Sequence, residues 1–429
     1  MGRRRAAGAG AERPQPAGRA LLSRPLHPRR RPSRARGLPG GGGGRAPSAL
    51  RPALRDVFGG RAGGLAGGAL PAGGRRGSRA DRGGLGRRRV ALAAAARAVP
   101  ALSLSAVSEL EEQVRAIPKV ELHQHVDGSI PAEVTWQLMK HYRLNPVETF
   151  DEMRRRLELQ PDEEGTLLAY LDKMHYPLWI TQFYENISQV TEAIVEAAAS
   201  AGVTTLELRY SPIIHTFAGL TPRQSIRAVL SGMNHAAHGP HIAKILARQA
   251  ISEAQHLHAR VGVVGFDIAG PEQGNPPRLF GSAYEIARIG RLGLTVHAGE
   301  DAPPDYVWDA VDGLGAERIG HGCSAAQDPE LLRRLARDRI LVECCLSSNY
   351  DSGAVRRGEP HPIHKFLEAG VPVAICCDNT TVSRTDQVKE TLRLAKPLGM
   401  DAVREIHRTA AAHTFIRPET ALSDREHDL

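Results

Sequence analysis

The first hundred residues of this 429-residue chain lack lysine and nearly all acidic and aromatic side chains. They contain 23 arginines against three acids, Glu12, Asp56 and Asp81, so this segment has a net charge of +20. The remaining residues contain 33 basic and 44 acidic side chains and have a net charge of −11. The overall net charge of +9 therefore reflects an amino-terminal arm, and the body of the protein is acidic.

The arm, residues 1–104, is made almost entirely of Arg, Gly, Ala and Pro. Such a composition buries too little apolar surface to offset the conformational entropy of the chain. We therefore expect a disordered arm, followed by a catalytic region at residues 105–429.

Three interpretations of the arm remain open. A nucleic-acid-binding tail would fit its charge, but Phe58 is its single aromatic residue, so bases would have almost nothing to stack on. A transit or export segment is suggested by residues 87–106, although Arg97 and Pro100 interrupt the apolar run. We favour the third interpretation, upstream sequence of a GC-rich gene read from a misplaced start, because the four abundant residues have GC-rich codons. Nucleic acid is therefore not an expected partner.

The body also lacks the features of secreted and membrane proteins. It has five cysteines, an odd number, and two adjacent pairs among them do not form a secreted disulfide framework. No uncharged run of eighteen apolar residues follows residue 106, so no membrane span is expected. These absences predict reduced, buried thiols in a cytoplasmic protein. The cysteines are Cys323, Cys344, Cys345, Cys376 and Cys377.

Short β-branched runs alternate with longer amphipathic segments from about residue 108 onward. Eight such runs over about 310 residues predict an α/β fold, a (β/α)8 TIM barrel. No Gly-x-Gly-x-x-Gly turn follows the first run, which disfavours a dinucleotide-binding fold. Residues 131–190 are too long for one crossover helix, and we expect extra helices over the barrel mouth. The runs are 119–126, 204–210, 243–249, 262–269, 294–299, 318–323, 340–346 and 371–378.

Glycines follow several of the amphipathic segments. Gly202, Gly293 and Gly370 come after the last periodic residue of three of them. A left-handed residue commonly ends a helix at this position, so all three are predicted to be helix caps.

Polar residues collect where the predicted strands end, and catalytic groups of such barrels come from those ends. His123 and His125 lie two residues apart on one strand, so both point to the same face. A His-x-His pair alone is weak evidence for a metal site. His297 and Asp378 at equivalent ends of other strands complete a three-histidine, one-aspartate set that suits Zn²⁺ with room for water.

Two further residues near this set are candidates for proton transfer. Glu300 lies three residues beyond His297, where a carboxyl beside an activated water could transfer protons. Its alternative interpretation is a solvated loop acid. His321 lies between two glycines, which allow close approach to a reacting centre, although it could equally be a packed core residue. Asp267 ends the fourth predicted strand.

Seven short motifs occur in order along the body of the chain. VELHQHVDGSI, LELRYSP, GFDIAGPE, TVHAGED, IGHGC and LSSNYDSGAV, followed by HP…FLEAGVPVAICCDN, resemble the adenosine deaminase family of metal-dependent amidohydrolases. The resemblance spans about residues 110–420. It implies a (β/α)8 barrel with one Zn²⁺ per subunit and hydrolytic deamination at purine C6, with adenosine or a related purine nucleoside as the small-molecule substrate.

The resemblance also assigns roles to particular residues. His123, His125, His297 and Asp378 match the metal ligands of the family.

The remaining matched positions concern the substrate and the reacting water. Glu300 matches the acid that protonates purine N1, and His321 matches the histidine that orients or deprotonates the water. Gly270 matches a glycine whose amide binds N3, and Asp127 matches a carboxylate near the ribose. Asn379 replaces an aspartate that contacts N7 in many members, and we expect its amide to donate to N7 instead.

Other activities stay open. Relatives act on adenine, 6-amino-6-deoxyfutalosine, other modified purines or nucleoside monophosphates. A monophosphate would need a cationic pocket, for which Arg209, Arg223 and Arg384 are candidates. A two-metal amidohydrolase is disfavoured, because the fourth predicted strand ends without the lysine that would bridge two ions. A nucleic-acid-binding protein with a relic barrel is the alternative of another class. It is disfavoured because every matched catalytic position is present.

Overall fold

The computed structural model describes residues 104–163, 165–238 and 262–416. The described residues contain seven strands, and every strand pair is parallel. Strand β1 pairs with β2, and β3 to β7 form a sheet in sequential order. The strands are β1 (Lys119–His125), β2 (Val203–Arg209), β3 (Gly265–Phe266), β4 (Gly293–Ala298), β5 (Arg318–His321), β6 (Leu341–Cys344) and β7 (Val373–Ile375).

The first and last strands are joined by backbone hydrogen bonds. The amide of His125 donates to the carbonyl of Asp378 at 2.9 Å, and the amide of Asp378 donates to the carbonyl of His123 at 2.8 Å. Sequential parallel order with this junction is the arrangement of a (β/α)8 barrel. The predicted third strand, 243–249, and the arm lie outside the described residues.

Helices connect the strands. They are α1 (Leu104–Ala116), α2 (Ala132–His141), α3 (Phe150–Leu157), α4 (Leu167–Asp172), α5 (His175–Ile180), α6 (Tyr184–Ser200), α7 (Pro222–His238), α8 (Gly281–Ile289), α9 (Pro304–Trp308), α10 (Pro329–Asp338), α11 (Leu346–Asp351), α12 (Ile363–Ala369), α13 (Gln387–Leu398) and α14 (Met400–Ala412). Short 3₁₀ turns occupy Pro212–His215, Pro277–Phe280 and Cys323–Gln327, and Asp309–Gly313 is a π turn. No helix within these described ranges combines the length and apolarity needed to cross a membrane.

The cap predictions are partly confirmed. Gly370 ends α12 with φ 75°, and Gly202 follows α6 with φ 79°. The prediction for Gly293 was wrong, because Arg291 adopts the left-handed conformation, with φ 56°, after α8. Gly293 instead begins β4, where an added Cβ would lie 2.2 Å from the ring of Phe415.

The fourth predicted strand is shorter than expected. Only Gly265–Phe266 form a ladder with β4, although the amide of His297 still donates to the carbonyl of Ile268 at 3.1 Å. Beyond this point the chain reaches Gly270, whose φ of 116° is incompatible with a strand. The strand predicted over residues 262–269 is therefore longer at both ends than the observed strand, Gly265–Phe266.

The extra helices between β1 and β2 lie at the carboxyl ends of the strands, as predicted. The Tyr170 hydroxyl of α4 lies 3.0 Å from Ser383 Oγ and 3.4 Å from Asp378 Oδ2. Helices α2, α3, α5 and α6 share their own apolar cluster, which includes Met139, Met153 and Ile194. A larger cluster of buried apolar residues packs the outer helices against the strands and forms the core between these two layers.

Candidate metal centre and active site

Four side chains from three strand ends converge at the barrel mouth. His125 Nε2 lies 3.2 Å from His297 Nε2 and 3.4 Å from Asp378 Oδ1. His123 Nε2 lies 3.7 Å from the same Asp378 oxygen. Asp378 lies three residues beyond the end of β7 and has a left-handed φ of 62°, a strained conformation typical of functional sites.

This donor set fits a tetrahedral divalent cation. Ligand atoms about 2.0–2.1 Å from a tetrahedral ion lie about 3.4 Å from one another. The separations of 3.2, 3.4 and 3.7 Å among these donors are close to that value. His123 Nε2 is buried and has no hydrogen-bond partner among the described residues. A buried polar atom without a partner is costly, and a bound cation would remove the cost.

Carboxylates hold the outer nitrogens of two of these histidines. His123 Nδ1 lies 2.8 Å from Glu343 Oε2, and His297 Nδ1 lies 2.9 Å from Asp267 Oδ2. Each Nδ1–H donates to its carboxylate, so each Nε2 lone pair faces the centre. Burial and the Arg209 charge hold the pKa of His123 well below its usual range. Burial opposes protonation of His297 as well, but Asp267 outweighs it and raises that pKa.

One guanidinium links the two carboxylates. Arg209 Nη1 lies 2.8 Å from Asp267 Oδ2, and Arg209 Nη2 lies 2.9 Å from Glu343 Oε2. Sequence reasoning missed Glu343, gave Asp267 no role, and named Arg209 only as a candidate for binding a substrate phosphate. A signal was present in the apolar run LVECC, because the single charge at Glu343 stands where a core residue would otherwise pack.

Glu300 lies in the loop after β4 and is nearly buried. Burial raises its pKa to about 7, and Ser352 Oγ donates to its Oε1 at 2.8 Å. Glu272 fixes the backbone of this loop by accepting from the amides of Gly299, Glu300 and Asp301 at 3.0, 3.1 and 3.3 Å. Sequence reasoning missed Glu272, although it belongs to the quoted GFDIAGPE motif.

His321 ends β5 beside Glu300. Its Nε2 lies 3.5 Å from Glu300 Oε2, and its ring centre lies 4.8 Å from that of His123. Its backbone is left-handed, with φ 62°, and burial lowers its pKa to about 3. The imidazole is therefore neutral at physiological pH.

A cavity of about 520 Å³ opens above Glu300. Ser352 and Pro271 also line it. Gly270, next to Pro271, has no heavy atom within 4 Å of an added Cβ, so the space beside it is open. The volume is within the range of pockets for small molecules.

Asp127 and Asn379 are buried near the metal-ligand set. Asp127 Oδ1 has no hydrogen-bond partner among the described residues, and burial raises the pKa of this carboxyl to about 6. Asn379 Nδ2 donates to Asp378 Oδ1 at 2.8 Å, which uses one of its two N–H bonds. An added Cβ at Gly128 would lie 1.9 Å from Asn379 Oδ1, so only glycine allows this approach.

All five cysteines are free and buried, in agreement with the expected reduced thiols. Cys345 forms a second potential metal-binding group with His123 and His321, whose candidate ligand atoms lie within 4.8 Å of one another. Burial raises the pKa of Cys345 well above its usual value, which disfavours the thiolate form that binds metal ions.

The comparisons with known proteins agree with this geometry. A family model described as adenosine deaminase matches residues 118–422. An adenosine deaminase from Enterococcus faecalis is 34% identical over 322 residues, covering 72% of this chain and 95% of that protein.

Two solved structures share the fold. An amidohydrolase from B. ambifaria with bound Zn is 21% identical, has a TM-score of 0.61, and the match covers 76% of this chain and 93% of that one. An Arabidopsis N6-mAMP deaminase is 23% identical, has a TM-score of 0.59, and the match covers 73% of this chain and 98% of that one. The predicted (β/α)8 barrel and the predicted family are confirmed. The chain belongs to the adenosine deaminase family of metal-dependent amidohydrolases and is a hydrolase of that class.

Proposed function

We propose that the protein deaminates a 6-aminopurine nucleoside, with adenosine as the first candidate, using one Zn²⁺ per subunit. The observation that carries this proposal is the position of Glu300, whose carboxyl lies 3.5 Å from His321 and beside the His123, His125, His297 and Asp378 donor set. A carboxyl that remains protonated near neutral pH can donate to a ring nitrogen while a metal-activated water attacks the adjacent carbon.

The four donor residues would hold the ion, which when bound would supply Lewis acidity and lower the pKa of its water. Glu300, protonated, would donate to purine N1, which makes C6 electrophilic. Water would add to C6 and lose two protons, one to the Glu300 carboxylate and one to the amino group; the C6–N6 bond would then break and ammonia would leave. The His321 ring would orient the attacking oxygen, and Ser352 would hold the Glu300 carboxyl in place through its 2.8 Å hydrogen bond.

Asp127, Gly270 and Asn379 would bind the remainder of the substrate. The buried Asp127 Oδ1, unpartnered among the described side chains, could accept from a ribose hydroxyl. This feature favours a nucleoside over free adenine, which has no ribose. The second N–H of Asn379 remains suited to the acceptor N7, and the Gly270 amide to N3.

A nucleoside monophosphate is the second candidate. Arg357, Arg384 and Arg393 line a cleft of about 400 Å³ that also includes Asp351, which directly precedes the cavity-lining Ser352. Guanidinium groups are suited to phosphate. Arg357 is already paired with Asp351 at 2.8 Å, so Arg384 is the first candidate in this cleft. Arg209 is not suited to this role, because Asp267 and Glu343 already occupy its guanidinium at 2.8 and 2.9 Å.

The test is a substrate panel with the zinc-loaded full chain. Adenosine, its 5′-monophosphate, adenine and 6-amino-6-deoxyfutalosine would be followed by the absorbance change from amino to oxo purine. We expect the highest kcat/KM for adenosine. Higher kcat/KM for the monophosphate, lost in Arg384→Ala, would favour the second candidate. Lack of turnover of every compound by metal-loaded protein would refute the proposal. A cytoplasmic location remains a prediction.

A further inference from the structure

A hydrogen-bonded chain of three buried side chains runs from the start of α12 to His321. The amide of Ile363 donates to His361 Nδ1 at 3.1 Å. His361 Nε2 lies 3.1 Å from Asn349 Oδ1, and Asn349 Nδ2 lies 2.9 Å from His321 Nδ1. The three side chains belong to residues that are 3% exposed or less, so water does not compete for these bonds.

The direction of the chain is fixed at its first link. A backbone N–H can only donate, so His361 Nδ1 must accept, whichever way the other groups are drawn. Burial lowers the pKa of His361 to about 3, so its ring carries a single proton, on Nε2. That proton is donated to the Asn349 carbonyl oxygen, and the Asn349 amide nitrogen then donates to His321 Nδ1.

His321 therefore uses its Nδ1 lone pair to accept. Its own single proton is left on Nε2, the nitrogen that lies 3.5 Å from Glu300 Oε2. In the opposite tautomer of His321, the Nδ1–H would point at the N–H of the Asn349 amide, and neither group could accept. Rotating the amide would only move this conflict to His361 and then to the Ile363 backbone, where it cannot be relieved.

We propose that His361 and Asn349 are positioning residues that fix His321 as the neutral Nε2–H tautomer, a hydrogen-bond donor and not a base. The inference deepens the proposed function, on which it rests. It selects one of two roles that a histidine at this place can have: His321 orients the attacking oxygen by donating to it, and does not remove its proton. The proton of the attacking water must then go elsewhere, and Glu300, the adjacent carboxyl, can accept it once its own proton has passed to purine N1.

Kinetics of three variants test the positioning role. His361→Leu removes the donor to Asn349, which frees the amide to rotate, and should lower kcat about 10- to 100-fold with KM nearly unchanged. His361→Gln offers an amide N–H in place of Nε2–H and should recover most of the kcat. His364→Leu, the same substitution three residues further along in the first turn of α12, is the matched control and should leave both constants unchanged. An unchanged kcat in His361→Leu would overturn the positioning role.

Nitrogen NMR of the zinc-loaded full chain with ¹⁵N-labelled histidine tests the tautomer independently of activity. The His321 signals would be identified by their loss in His321→Gln. We expect the Nε2–H pattern in the wild type and its loss or mixing in His361→Leu. An Nδ1–H pattern in the wild type would overturn the proposal, even if His361→Leu does not fold. An Nε2–H pattern in a protein that deaminates no purine would support the relay and reject only the proposed function.

Discussion

Arg209 and Asp267 form a partly buried ion pair in which Nη1 and Oδ2 lie 2.8 Å apart. The same Asp267 oxygen lies 2.9 Å from His297 Nδ1, so the arginine orients a proposed metal ligand through the carboxylate. Its other terminal nitrogen does the same for His123 through Glu343. One side chain thus supports two histidines that are distant in sequence.

Replacing this arginine by lysine should weaken metal binding. Arg209→Lys keeps the charge but not the planar fork, so it cannot hold both carboxylates in their present orientation. We expect zinc affinity to fall about 10- to 100-fold, measured by competition with a fluorescent chelator. Arg223→Lys, an exposed position on α7, is the matched control and should bind zinc like the wild type. Equal zinc affinity of Arg209→Lys and the wild type would contradict this role.

Neutralising Glu300 should separate proton transfer from metal binding. Glu300→Gln keeps the size of the side chain but removes the acidic proton, and we expect kcat to fall about 10²- to 10⁴-fold. Zinc content, measured by elemental analysis, should stay at the wild-type level. Asp305→Asn, an exposed acid on α9, serves as the control and should retain wild-type kcat. Substantial turnover by Glu300→Gln would show that another group protonates the base.

The pH dependence of activity should follow the Glu300 carboxyl. Its pKa is raised to about 7 by burial, and only the protonated form can donate, so kcat/KM should fall as pH rises through about 7. The Ser352 hydroxyl donates to this carboxyl and lowers its pKa by stabilising the ionised form. Ser352→Ala should therefore move the alkaline limb upward, by about one pH unit.

The comparison for this shift is Ser324→Ala. Ser324 lines the same cavity, but its buried hydroxyl has no hydrogen-bond partner among the described residues. The alkaline limb of the kcat/KM profile of Ser324→Ala should match that of the wild type. A downward shift in Ser352→Ala, or none, would mean that another group controls the limb.

The features that were predicted best from the sequence are those that depend on the alternation of side chains along a strand. His123 and His125 share a face because side chains alternate along β1, and their meeting with His297 follows from parallel strands ending together. The network behind the histidines was not predictable in the same way. Glu343, Arg209 and Asp267 come from three different strands or strand ends, and their pairing depends on the barrel register, which hydrophobic patterns alone do not specify.

Local backbone conformation was the weaker part of the prediction. The cap expected at Gly293 was wrong because Phe415, distant in sequence, requires a glycine at the start of β4. The positive φ angles of His321 and Asp378 were not predicted, because Asp and His adopt this conformation more often than most other non-glycine residues but still only in a small minority of cases. Tertiary contacts determine both, and both lie at the candidate site.

Asn379 offers a final test of substrate contact. Its amide donates to Asp378 Oδ1 at 2.8 Å, and the backbone of Gly128 approaches its side chain so closely that an added Cβ would lie 1.9 Å from its Oδ1. Asn379→Asp would place a second carboxyl against Asp378, and only its protonated form could donate there or to purine N7. Lowering the pH should restore the donor, so affinity for a non-reactive purine nucleoside analogue should fall less at pH 6 than at pH 8. Titration calorimetry at both pH values measures this difference, with the wild type at each pH as the reference. A loss of affinity that is equal at both pH values would reject a donor role for Asn379.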